Sequence, residues 1–165
     1  MLDIQRLLVP TDFSLHSDQA LDYAVDLARL VGAKEIRLLH MLEVPPTPVP
    51  IAGAIGADTL QMEQTIRDSA AKALQDRKAR IESESGDFRV ETLLMSGSPA
   101  GWIAQVAESQ CADLIVMGSH GRHGLAHVLF GSIAERTMTR APCPVLIVTG
   151  HEEGTDDEEA GRESA

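Results

Sequence analysis

The chain has 165 residues, 44% of them hydrophobic, with only 2 cysteines. That length suits one compact domain able to bury most of its apolar surface without disulfides. It carries 25 acidic against 14 basic residues, a net charge of −11, which argues against nucleic acid or an anionic membrane surface as the main partner. Seven of the acids (Glu152, Glu153, Asp156, Asp157, Glu158, Glu159 and Glu163) follow Thr149 with one base, Arg162. Residues 150–165 therefore read as an acidic, disordered tail behind a domain of residues 1–149. No run of about 18 apolar residues is available for a spanning helix. The N-terminal Met-Leu-Asp-Ile-Gln-Arg-Leu-Leu-Val-Pro has neither the basic start nor the long apolar run of a signal peptide. Cys111 and Cys143 form no C-x-x-C pair, so a reducing cytoplasm is the expected compartment.

The first apolar run, Ile4 to Val9, stopped by Pro10, predicts a strand. Ser14 then offers a hydroxyl cap to a helix whose apolar stripe is Ala20, Leu21, Ala24, Leu27, Ala28 and Val31, closed by Gly32 as a left-handed cap. Glu35 to Leu42 is a second strand. A long loop with Pro45, Pro46, Pro48, Pro50, Gly53 and Gly56 follows, and loops of this length are usually functional flaps or mobile inserts. From about Asp58 a helix is expected, with Met62, Ile66, Ala70, Ala73, Leu74 and Ile81 along one side. Phe88, Val90, Thr92 and Leu94 alternate as in a half-covered strand. Ser98-Pro99 opens a helix whose buried face is expected to comprise Trp102, Ile103, Val106 and Ala107. Leu114 to Met117 is the continuous run of a strand covered on both sides. A glycine-spaced loop from Gly118 to Phe130, a helix from Gly131 to about Arg140 and a strand from Pro144 to Thr149 complete the domain.

Strands alternate with helices, which predicts an α/β fold: a doubly wound parallel sheet with helices on both faces and right-handed crossovers. Ligands of such sheets bind beyond the carboxyl ends of the strands, where the strand order reverses. That rule directs attention to Pro10-Thr11-Asp12, to Met41 and to the loop after Met117.

The loop is the most informative segment. Gly118 and Gly121 follow a buried strand, nine residues intervene, and Gly131-Ser132 opens the next helix. Glycines there let backbone N–H groups turn toward a ligand, and a helix N-terminus favours a phosphate. The competing reading is a tight surface loop shaped by glycine alone. A Walker loop is absent, and no G-x-G-x-x-G follows the first strand. An acid at the end of a first strand can accept two ribose hydroxyl bonds; Asp12 fits that role or, equally, a turn-capping carboxylate.

The G-x-x-G, nine residues, G-S pattern resembles the ATP-binding motif of the universal stress protein family. Further matches in order strengthen the resemblance: Leu8-Val-Pro-Thr-Asp-Phe-Ser14, Leu38-Leu-His40, Gly97-Ser-Pro99, Asp113-Leu-Ile-Val-Met-Gly-Ser-His-Gly121 and Ala141-Pro-Cys-Pro-Val-Leu-Ile-Val148. The resemblance spans residues 1–149 and implies a single five-stranded sheet in order 3-2-1-4-5, an ATP pocket and a homodimer. It also implies that Asp12 holds the ribose, that Pro10 and Thr11 line the adenine, and that the Met41 backbone reads its edge. Met117, Gly118, Gly121, Arg122, Gly131, Ser132 and Ile133 match positions around the phosphates. Gly124, His123 and His127 depart from the usual pattern.

Other residues carry less. His120, His123 and His127 invite a metal site, but no Cys or carboxylate lies among them, and a solvated loop beside phosphates is the favoured reading. A magnesium or manganese ion would be held mainly by ATP phosphates and water, so no metal ligand is assigned. His40 is expected to be structural, Met62 and Met95 to fill core gaps, Trp102 to anchor the core and Cys143 to be a small buried hydrophobe. No nucleophile with a base and orienter can be assembled, and no catalytic residue is assigned. The expected function is an ATP-binding regulatory module of stress response. The alternatives are a slow ATP hydrolase or self-phosphorylating protein, and a nucleotide-free dimeric scaffold or chaperone-like protein. The homodimer is expected to pair through the charge-free run Val145, Leu146, Ile147 and Val148, which an exposed sheet edge normally avoids.

Overall fold

The computed structural model describes residues 3–43, 57–84, 87–119 and 130–149. Its elements run β1 (Arg6–Pro10), α1 (Leu15–Val31), β2 (Glu35–Leu42), α2 (Ala57–Ser83), β3 (Arg89–Ser96), α3 (Pro99–Ser109), β4 (Leu114–Gly118), α4 (Ser132–Arg140) and β5 (Val145–Val148). The five strands form one parallel sheet in the order β3-β2-β1-β4-β5. The expected architecture is therefore present. β1 reaches one residue further than its apolar run, because Pro10 still pairs with Leu39.

Alternation along the strands divides the core in two. Leu7, Val9, Ile36, Leu38, Leu114 and Val116 face one side, where Leu21, Ala24 and Ala28 of α1 and Leu74 and Ile81 of α2 cover them. Leu8, Leu39, Met41, Ile115 and Met117 face the other, under Ile103 and Val106 of α3 and Ala134 of α4. Each fully buried aliphatic chain of this kind contributes about 1.5–3 kcal/mol. Ser14 caps α1 by accepting from the Ser17 N–H, and Gly32 ends the helix with φ 68 and ψ 38, a left-handed geometry that glycine adopts without strain.

Three expectations about side chains are corrected. Trp102 is 42% exposed and does not anchor the core; it rests on the surface over Gly97. Met62 and Ile66 are exposed, so neither joins the apolar side of α2, which begins with Ala70. α2 is about 40 Å long against about 27 Å for its partner β3, and its first turns outrun the sheet. Val31, at the end of the α1 stripe, is also exposed. Met95 and Cys143 do pack against the second core layer, where burial, chiefly, raises the Cys143 thiol above its ordinary pKa.

At the amino ends of the strands, polar groups fasten the sheet. Asp113 Oδ2 accepts from the N–H groups of Gln5 at 3.0 Å and Arg6 at 2.8 Å. The buried Glu35 carboxylate receives Arg37 and, at 3.0 Å, Arg89.

Candidate functional site

β2 lies on one side of β1 and β4 on the other, so the chain order reverses beside β1, the point beyond whose carboxyl end sheets of this kind offer a ligand-binding crevice. Three segments meet the requirement for a site there: the β1–α1 turn, the end of β4 and the start of α4.

The β1–α1 turn is built by its own polar side chains. Thr11 continues the ladder by donating its N–H to Leu39 O at 2.8 Å. Its buried hydroxyl lies 3.0 Å from Ser17 Oγ and accepts the Phe13 N–H at 3.0 Å. Asp12 Oδ1 accepts from the Ser14 N–H at 3.0 Å and the Ser14 hydroxyl at 2.6 Å. Thr11 thus turns its hydroxyl inward, while Asp12 performs the turn-capping role with one oxygen. His40, buried at the end of β2, donates from Nδ1 to Thr11 O at 2.7 Å, the structural part expected of it.

On the β4 side, Met117 is buried and Gly118 ends the strand opposite Val148. The next residue, Ser119, is buried; its N–H donates to Val148 O at 3.0 Å, and its carbonyl accepts the Gly131 N–H at 2.8 Å. That last bond ties the end of β4 to the start of α4 across eleven intervening residues. Gly131 is the residue before the helix, with φ −67 and ψ 154, a conformation open to any residue. The first helical bond runs from Glu135 N–H to Gly131 O, so the amides of Ser132, Ile133 and Ala134 lie at the open, positive end of α4. Ser132 is exposed and Ile133 is half-buried against the core.

Of the residues expected at the site, Pro10, Thr11, Asp12, Met41, Met117, Gly118, Gly131, Ser132 and Ile133 are placed at strand carboxyl ends or at the α4 N-terminus. Gly121, Arg122 and the histidines at 120, 123 and 127 lie outside the described residues, as does the tail from 150. Among the described residues no cluster of three or more His, Cys, Asp or Glu could hold a metal, and no helix is long and apolar enough to cross a membrane.

Sequence reasoning missed the packing around Phe13, the residue after Asp12. Phe13 has φ 66, and its ring stacks on His40 at 4.1 Å between centroids. The Arg77 guanidinium lies 4.8 Å from the centroid of the same ring and binds Asp18 of α1 through two bonds of 2.6 and 2.7 Å.

Comparison with known families matches residues 3–149 to the Universal stress protein family. The chain belongs to that family. Universal stress protein MJ0531 of Methanocaldococcus jannaschii is 32% identical over 145 residues, covering 87% of this chain and 81% of the relative. The solved structure of MJ0577 superposes with a TM-score of 0.75 at 26% identity, covering 90% of this chain and 98% of that one. A universal stress protein solved in complex with cAMP shares the fold, with a TM-score of 0.65 at 23% identity over 89% of this chain and 98% of the other. Family membership gives the glycine-spaced segment of this universal stress protein a context that spacing alone lacked.

Proposed function

We propose that this protein binds ATP as a non-catalytic regulatory module of stress response. The observation that carries the reading is the Ser119–Gly131 bond, which holds the end of β4 and the open end of α4 together beside the Asp12 turn. A nucleotide laid across that crevice meets a carboxylate on one side and helix amides on the other. Asp12 takes the ribose hydroxyls, Pro10, Thr11 and the Met41 backbone border the adenine, and Gly118, Gly121, Arg122, Gly131, Ser132 and Ile133 surround the phosphates, with Met117 beneath. The relative solved with cAMP supports an adenine nucleotide as the ligand class. Gly131-Ser132 at a helix start, added to Gly118 and Gly121, favours a polyphosphate over a cyclic monophosphate. Any magnesium or manganese enters through the phosphates. The working unit is a homodimer joined along β5.

Calorimetry with Mg-ATP tests the pocket. Asp12→Ala removes the ribose acceptor, and Gly131→Val fills the phosphate approach in a backbone conformation that valine accepts. Each is expected to weaken binding by about tenfold or more, the loss of roughly one charge-assisted hydrogen bond or its equivalent. Unchanged affinity in both variants refutes the site.

A further inference from the structure

Resting on the reading of Asp12 as the ribose acceptor, we propose that Phe13 is the positioning residue for that carboxylate, clamped in a left-handed conformation between His40 and Arg77. Only two described residues other than glycine have positive φ, Phe13 at 66 and Cys111 at 50. For a bulky aromatic this conformation is disfavoured and persists only where the surroundings hold it. Here they do, from three elements. His40 of β2 stacks on the ring with 27° between the planes. Arg77 of α2 covers the ring with its guanidinium, and Asp18, in the first turn of α1, fixes that guanidinium with a two-pronged bond. Arg77 and Asp18 are each largely shielded from solvent, with side-chain exposures of 19% and 34%.

The turn that Phe13 makes has one consequence next door. Phe13 N–H donates to Thr11 Oγ1, and with Phe13 left-handed the following Ser14 brings its N–H and hydroxyl to Asp12 Oδ1. The carboxylate is thereby set in one orientation before any ligand arrives, which lowers the cost of binding. An extended Phe13 would carry Ser14 away and take both of these bonds from Asp12 Oδ1. Phe13, Arg77 and Asp18 touch no ligand in this scheme; they act through Asp12.

The test compares three probes by calorimetry: ATP, 2′,3′-dideoxy-ATP and inorganic tripolyphosphate. The wild type is expected to prefer ATP over the dideoxy compound by about tenfold. Phe13→Ala loses the ring and with it the contacts that hold a φ alanine disfavours, and Arg77→Met loses the guanidinium while keeping its stem. In both, the preference is expected to fall toward one while tripolyphosphate affinity stays at the wild-type value. Phe13→Tyr, which keeps the stack, retains the preference. If Phe13→Ala and Arg77→Met discriminate as the wild type does, the clamp is refuted and the ribose reading stands. A wild type that binds ATP without discriminating overturns the ribose reading and the clamp with it. Equal losses for all three probes also overturn the clamp, because they report general damage to the fold.

Discussion

The Trp102 indole lies across Gly97 so closely that a Cβ on Gly97 would stand 2.8 Å from Nε1 and 2.9 Å from Cδ1. Gly97 itself has φ 141, and its N–H closes the β2–β3 edge by donating to Leu42 O at 2.9 Å. Gly97→Ala therefore meets both backbone strain and a steric conflict. The expected loss is about 1–3 kcal/mol in urea unfolding. Trp102 is the sole tryptophan, so its emission should shift in the same variant as the ring is displaced. An alanine variant with wild-type stability and emission contradicts this account.

Glu35 makes stability depend on acid. Burial alone would raise its pKa, but the hydrogen bonds from Arg89 and Arg37 and their positive charges outweigh burial and lower it. A carboxyl lowered in the folded state adds stability that is fully present above its unfolded value and is lost as the pH falls through the folded one. Acid unfolding should therefore begin below the ordinary glutamate range, and Glu35→Gln should flatten that part of the stability–pH curve. Arg37→Met should cost about 1–3 kcal/mol at neutral pH by leaving a buried carboxylate short of a donor. Curves of identical shape for wild type and Glu35→Gln would remove Glu35 from the explanation.

The open edge of β5 is expected to join two copies. Pro144 O accepts from Ile115 N–H, and Val148 O accepts from Ser119 N–H. In a parallel pair these groups alternate, so the backbone of Val145 and Ile147 faces outward, unpaired within the sheet. Leu146 packs on the first core layer, which makes a charge there a poor probe of association. Ile147→Pro instead removes an outward N–H, as edge strands tolerate. It should convert a dimer into a monomer in sedimentation at micromolar concentration. A monomeric wild type ends the idea.

Turnover should be slow. Ser132 is exposed at the start of α4, and among the described residues no histidine or carboxylate hydrogen-bonds its hydroxyl. Phosphate release below about 1 s⁻¹ is expected. Steady release well above that rate would place a base in the glycine-spaced segment.

Much of the fold was legible because buried strands announce themselves: Leu114 to Met117 is apolar without a break and is buried on both faces. The strand order came from resemblance, since pairing partners leave no local mark. Side-chain fate was harder to read. Trp102 has the spacing of a buried residue, yet its ring lies over Gly97, five residues earlier in the β3–α3 connection. Met62 and Ile66 keep helical periodicity with Ala70, and periodicity carries no information on where the sheet ends. Asp12 was legible both as a ligand group and as a turn cap, and the turn uses Oδ1 for the second. The Phe13 clamp was invisible because His40 and Arg77 are distant in sequence and nothing about phenylalanine announces a left-handed backbone.

The length of α2 has a mechanical consequence. Leu60, Met62 and Ile66 are 58%, 66% and 49% exposed, so the stretch from Leu60 to Ile66 gains almost nothing from packing, whereas Ala70, Leu74 and Ile81 are held by the core. A helix end with so little packing, tied to β3 among the described residues only through the exposed Arg67–Ser96 bond, opens at little cost. Amide hydrogens before Ala70 should exchange with solvent by local fraying, and those after Leu74 only when the domain opens. Arg77 sits on the slow side of that boundary, so the first turns of α2 can unwind or be remodelled by a partner while the guanidinium over Phe13 stays in place.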